Sequence, residues 1–233
     1  MSGAGQLREA REARGWTQEQ AAKRLRVTQA YLSMLESGRR AVPARMAVGL
    51  ARLFDLPATA LPLPSHAGER TEVQLAEDLA VLGYPGFRHL VPRPGTVAAV
   101  RRNPAEVLVA ALRRPNLDSR TVEALPWLAL EFANLDLGWL LREAKLADLQ
   151  NRLGYVVCVA RELAARAGRT GDAGRLRSFE HTLEQSRLAR EDTLCHEALS
   201  GAERRWLKQR RTPEARHWRL LTDLSAEQIQ NAS

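Results

Sequence analysis

The chain has 233 residues, enough for two domains, and its 45% hydrophobic content can fill a packed core. Its 35 Lys and Arg against 27 Asp and Glu leave a formal charge of +8, which favours a polyanionic partner, although an arginine excess with lysine only at Lys23, Lys145 and Lys208 fits a coding bias equally well. Cys158 and Cys195, far apart and without CxxC spacing, argue against a disulfide framework and a metal site; no apolar run reaches the roughly 18 residues of a membrane span, and the polar N-terminus is unlike a signal core, so a reduced cytoplasmic protein with no membrane association is expected.

In chain order, residues 7–14 predict a short helix closed by Gly15, which enters the left-handed region without penalty. Thr17, with Gln20 three positions on, has the capping-box pattern for a second helix carrying Ala21, Ala22 and Leu25. After a turn at Arg26-Val27, Thr28 is the next N-cap, and Leu32 and Leu35 face the third helix toward the second. Two short helices on so tight a turn make a helix-turn-helix unit. The third helix ends at Glu36-Ser37-Gly38, followed by Arg39 and Arg40; Pro43 opens a fourth with Ala47, Leu50, Ala51 and Phe54 on its apolar face and Leu56 covering the small core. Each helix alone is too short to persist in water, so the unit holds together by packing.

Three prolines between Pro57 and Gly68 interrupt helix and mark a boundary: residues 1–57 are expected as one domain, 58–70 as linker and 71–233 as a larger second domain. The first carries ten Lys/Arg and five Asp/Glu, a net +5, so positive charge is concentrated there. Beyond it the periodicity is helical throughout. Helices are predicted from Thr71 to Leu82, from Asn103-Pro104, and from Asp118, with Pro126 kinking or restarting the last. Trp139, Leu146, Leu149, Leu153, Val156, Ala160 and Leu163 recur at three- and four-residue intervals, which predicts one helix of eight or nine turns from Asp136 to Ala167, with Gly154 as a possible bend. A glycine-rich break at Gly168 to Gly174 precedes helices over 173–190, 201–211 and 213–221. The fold class is all-α: a four- to five-helix N-terminal domain, then a larger α-helical bundle.

The run Gly15-Trp-Thr-Gln-Glu-Gln-Ala-Ala, then Val27-Thr-Gln-Ala-Tyr-Leu-Ser-Met-Leu-Glu-Ser-Gly-Arg and Pro43-Ala-Arg, resembles the phage-repressor/Cro (XRE) family of DNA-binding domains over about a quarter of the chain. The resemblance implies that Thr28, Gln29, Ala30, Ser33 and Met34 lie on the face of the recognition helix that enters the major groove of double-stranded DNA. Gln29 is the best base reader, because its amide pairs with adenine; Ala30 and Met34 offer apolar contact to a thymine methyl. Tyr31 is either a groove contact or a cover on the helix edge. Gln18 resembles the family's phosphate-contacting glutamine, and Arg39, Arg40 and Arg45 are candidates for flanking phosphates. Arg11 and Glu36 match a buried structural ion pair of the family, and Trp16, where an aliphatic residue is usual, is expected in the core.

The larger domain shows no phosphate loop, GxSxG elbow or HExxH, and the chain's five histidines, His66, His89, His181, His196 and His217, are scattered, so neither an enzyme nor a cofactor is expected. Asp148, Asn151 and Arg152 beside the apolar stripe are either the solvated edge of a bundle core or part of a protein-partner surface. From Arg204 to Arg219 seven basic residues meet one acid, Glu214, with Trp206 and Trp218 interleaved; this suits nucleic acid, an acidic protein, or a plain surface helix with core tryptophans. The expected function is a sequence-specific regulator, a repressor acting as a homodimer. The alternatives are an antitoxin-type protein whose C-terminal domain neutralises a protein partner while the N-terminal domain autoregulates, and a sensor of a small ligand.

Overall fold

A computed structural model describes residues 3–40, 42–91 and 102–229. The chain divides into two compact units: Met1–Pro64 with Val100–Asn103, and Ser65–Ala99 with Pro104–Ser233. The described residues are mostly helical, with one two-stranded ladder.

The first unit contains α1 (Gly3–Ala13), α2 (Gln18–Leu25), α3 (Gln29–Glu36) and α4 (Ala44–Leu53), then a short 3-10 turn at Ala58–Ala60. Its punctuation follows the side chains. Gly15 takes φ +66° after α1, and Thr17 and Gln20 cap α2 reciprocally, the Thr17 hydroxyl accepting from the Gln20 N–H and the Gln20 amide oxygen from the Thr17 N–H. Thr28 caps α3 through the Tyr31 N–H. The α2–α3 turn is made by Arg26 at φ +56°, a left-handed residue that is not glycine. Leu7, Ala21, Ala22, Leu32, Leu35, Ala47, Leu50, Ala51, Phe54, Leu56 and Leu61 form one core. Within the stretch expected as linker, Leu61 thus belongs to this core, and the amide of buried Asn103 donates to the carbonyls of Thr59 (3.2 Å) and Leu61 (2.7 Å).

The second unit runs through α5 (Glu72–Leu82), α6 (Pro104–Leu112), α7 (Ser119–Glu131), α8 (Leu137–Leu146), α9 (Gln150–Arg166), α10 (Thr170–Glu184), β1 (Asp192–Thr193), α11 (Gly201–Arg210), α12 (Pro213–His217) and β2 (Leu220–Leu221), with β1 and β2 parallel. Helix α9 is its axis, buried from Gln150 to Ala160 and packed against α7, α8, α10, α12 and both strands. The stripe from Leu149 to Leu163 is therefore filled by the unit's own elements. Helix α7 continues through Pro126 rather than restarting there.

The single long helix expected from Asp136 to Ala167 is instead two. Helix α8 stops because Asp148 turns left-handed at φ +56°, and the Leu149 N–H closes back on the Ala144 carbonyl at 2.8 Å. A short polar side chain tolerates that conformation, and Arg190 supports it by pairing with the Asp148 carboxylate at 3.6 Å. Leu146, counted in the stripe, is 62% exposed. The break also sends Asn151 and Arg152 inward rather than to a solvated edge or a partner surface. All five N–H groups of buried Arg152 are taken: Nε and Nη2 by Asp192 (2.8 and 2.9 Å), Nη2 also by Glu197 (2.9 Å), and Nη1 by the carbonyls of Leu112 (3.0 Å) and Arg114 (3.2 Å). Asn151 exchanges hydrogen bonds with the main chain of Leu188. The break before α10 is Gly168 alone, at φ +70°, since Gly171 and Gly174 lie inside the helix. The last predicted helix, 213–221, stops at His217; Arg219 turns at φ +55° and Leu220–Leu221 pair with Asp192–Thr193.

Gly154 lies inside α9 without interrupting it. A Cβ there would stand 2.2 Å from the ring of fully buried Trp218, so glycine is what lets the tryptophan seat against the helix. Gly154→Ala should cost about 1–3 kcal/mol through overpacking and lower Tm by several degrees. Gly171→Ala, where a Cβ meets nothing within 4 Å, is the control and should be neutral or slightly stabilising.

The start of this unit is held by Glu143, a carboxylate with no exposed surface. It accepts from the Ala67 N–H (3.0 Å) and Arg113 Nη2 (2.9 Å) and meets His66 Nδ1 at 3.1 Å, while Arg113 also donates to the Ala67 carbonyl. Burial pushes the Glu143 carboxyl up, but its partners outweigh burial and hold it below its ordinary value. A depressed carboxyl stabilises the fold above its unfolded pKa, and that stabilisation is lost as pH falls through the folded pKa. Glu143→Gln should therefore lose roughly 1–3 kcal/mol at neutral pH, with the gap from wild type closing in urea titrations at progressively more acid pH.

Candidate nucleic-acid interface

The exposed end of α3 is built from α1, α2 and α3 together. Arg11 on α1 and Glu36 at the end of α3 are both buried and joined by two hydrogen bonds, Nε to Oε1 at 2.7 Å and Nη2 to Oε2 at 3.1 Å. The bond to Glu36 raises the Arg11 pKa above its ordinary value despite partial desolvation, so the guanidinium stays charged. Its Nη1 donates to the Trp16 carbonyl at 2.8 Å, tying down the loop before α2.

From this ion pair a chain of side-chain bonds runs outward. The Gln18 amide nitrogen donates to Glu36 Oε2 at 2.9 Å, and its amide oxygen accepts from the Gln29 amide nitrogen, also at 2.9 Å. The order has a physical origin. An ionised carboxylate only accepts, so Gln18 must turn its NH2 toward Glu36 and its oxygen away, and Gln29 must then meet that oxygen with its own NH2. Gln29 is left with a free amide oxygen and one free N–H at the first turn of α3. A donor beside an acceptor is the pattern complementary to the N7 and N6 edge of adenine.

Around Gln29, Thr28 and Ala30 are exposed and Ser33 and Met34 half-buried on α3. Tyr31 packs partly against the core, with the Arg40 guanidinium 4.9 Å from its ring centre. Arg39 and Arg40 are exposed after the left-handed Gly38, where the Arg40 N–H bonds back to the Met34 carbonyl at 3.1 Å. Arg45 lies on α4, and its side chain is outside the described residues. Trp16 has its ring 6.0 Å from Phe54 on the core side, but Arg24 lies over it at 4.3 Å, a cation–π contact that the spacing of these residues did not announce. Also unannounced was the link between the ion pair and the two glutamines, since no local motif encodes a bond between residues 11 or 18 positions apart.

Elsewhere, both cysteines are buried free thiols, and burial pushes the Cys195 thiol up to about 12, which removes its thiolate at neutral pH. Among the described residues no group of three His, Cys, Asp or Glu side chains is placed to hold a metal, and no helix is long and apolar enough to cross a membrane.

The ion pair and the glutamine relay separate by mutation. Arg11→Met strands a buried carboxylate and should cost about 3–5 kcal/mol. Gln18→Ala keeps the pair and should cost about 1 kcal/mol. Urea denaturation followed by circular dichroism measures both.

Residues 7–61 match the family model described as helix-turn-helix. No curated protein and no solved structure matches the chain. The matched segment ends at Leu61, the residue that closes the first unit's core. Residues 7–61 are a helix-turn-helix domain of the phage-repressor/Cro type, the DNA-binding part of a transcription regulator.

Proposed function

We propose that this chain is a sequence-specific repressor that binds double-stranded DNA as a homodimer and acts in the cytoplasm. The observation that carries the reading is the relay from the buried Arg11–Glu36 pair through Gln18 to Gln29, which presents a pre-oriented amide at the exposed start of α3. In this reading Gln29 reads an adenine, Thr28, Ala30, Ser33 and Met34 contact neighbouring base edges, and Tyr31 is a cover held by Arg40 rather than a reader. Gln18 retains one amide hydrogen and its orphan main-chain N–H at the start of α2 for a phosphate, and Arg39, Arg40 and Arg45 take flanking phosphates. One eight-residue recognition helix spans few base pairs. Two copies on half-sites about one DNA turn apart supply the missing specificity.

Footprinting tests this directly. A protected inverted repeat is expected. Gln29→Ala should relax one position in each half-site at a cost of about 1–3 kcal/mol, whereas Arg39→Ala should weaken all sequences alike and reduce the salt dependence. Unchanged binding by the Gln29→Ala/Arg39→Ala double variant would falsify the assignment.

A second reading, a regulator responsive to a small ligand, is favoured by one observation. The second unit has a cleft of about 430 Å³ walled by Leu117, Val122, Leu194, Leu221 and Leu224, with His196 and Thr222 among its polar groups. That size and mix suit a small organic molecule.

A further inference from the structure

The second unit carries a concentration of positive charge that DNA recognition by the first does not use. Arg187, Arg211, Arg216 and Arg219, with His217 and a single carboxylate, Glu191, line a cleft of about 430 Å³. Two stretches distant in sequence build it: the chain after α10, and the continuous run from the end of α11 through α12 and its following turn. The left-handed turn at Arg219 ends the α12 segment and sends the chain into β2, leaving Arg216 and Arg219 both exposed at the cleft.

The charges there are not balanced. Glu191 pairs with Arg211 (3.0 Å) and Lys208 (3.8 Å), and Glu184 pairs with Arg187 (3.5 Å) and His217 (2.7 Å). Glu191 is thus shared between two cations, and Glu184 between a cation and an imidazole. Among the described residues, neither Arg216 nor Arg219 has a carboxylate within ion-pair distance. Arg211 adds an independent sign: its side chain is only 10% exposed, and its Nε has no acceptor. A buried donor without an acceptor carries a desolvation cost, which a shift of the side chain toward an incoming acceptor would remove.

We propose that this cleft is a binding site for a small polyanion, a molecule carrying two or more linked phosphate groups. Guanidinium forks match phosphate oxygens in pairs and stay charged at any physiological pH. Four arginines line a concave volume in the range of small-ligand sites, and among the described residues two of them, Arg216 and Arg219, have no carboxylate partner, whereas a duplex backbone is met by cations spread along a surface. The site is independent of the DNA-binding reading, since it shares no residue with the first unit.

Calorimetric titration of the full chain with inorganic tripolyphosphate tests the proposal. Saturable binding of one anion per chain is expected, tighter than that of inorganic phosphate. Arg216→Ser/Arg219→Ser should weaken it at least about tenfold, the consequence of losing charge-assisted hydrogen bonds. Both side chains are exposed, so Tm should not move, and Arg39→Ala should bind tripolyphosphate like wild type. Absence of saturable binding, or wild-type affinity in the double variant, overturns the proposal. So does an equal loss in Arg39→Ala, which would place the anion on the first unit. If the double variant loses affinity only for a short non-operator duplex, the cleft is a DNA-backbone contact and the small-ligand site is overturned.

Discussion

The first unit depends on one buried contact, the two-pronged bond between Arg11 and Glu36. Its four α-helices are short, with the eight-residue α2 and α3 below the length at which a helix persists alone in water. Apolar packing brings them together, but a core rich in alanine and leucine does not by itself choose a rotation of one helix against another. A planar guanidinium facing a carboxylate at two fixed distances does choose one. Because the acceptor end of that pair also fixes the amide of Gln18, the positional constraint in the interior reaches the exposed tip of α3 without an intervening flexible step.

The second unit solves a related problem with Arg152. Here the arginine gathers five acceptors from four residues in two stretches, 112–114 and 192–197, and so ties α9 to the chain on either side of it. Lysine, with a rotatable point charge, would not satisfy that planar set. In both units a buried arginine bonded through all three of its nitrogens marks where irregular chain is fastened to helix. The stripe that looked available for another protein is spent on the unit's own packing.

Local features were legible in the sequence because both partners sit within one helical turn. Thr17 with Gln20 and Thr28 cap where their spacing says they should, and Thr71 and Asp118 cap the helices predicted to begin there. The residues of the candidate interface were legible through resemblance. The relay joining them was not, because it is a tertiary fact. The end of α8 at Asp148 was illegible for two reasons: three- and four-residue apolar spacing runs on across the break, and the arginine that steadies it is 42 residues away. Composition also could not separate Trp206 from Trp218. Both stand among arginines, yet one is 46% exposed with Arg210 over its ring and the other is fully buried.

The seating of Trp218 on Gly154 has a bearing on the order in which the molecule assembles. Around the N-terminal end of α9, the side chains of Asn151, Arg152 and Tyr155 find their partners at Leu188, Asp192, Glu197 and Leu224, and the glycine gap at 154 is filled from position 218. All of these lie later in the chain by more than thirty residues. As a nascent chain leaves the ribosome, α9 therefore emerges with only the bonds of Arg152 to the Leu112 and Arg114 carbonyls available from earlier chain, its other partners still to come, and a groove on its surface. Contacts of such sequence separation form slowly, because a long loop must close before any of them is rewarded. The helix-turn-helix segment 7–61, whose ion pair closes a loop of 25 residues and whose glutamine relay closes loops of 18 and 11, is synthesised whole before α9 begins, so the two parts of one regulator mature on different clocks.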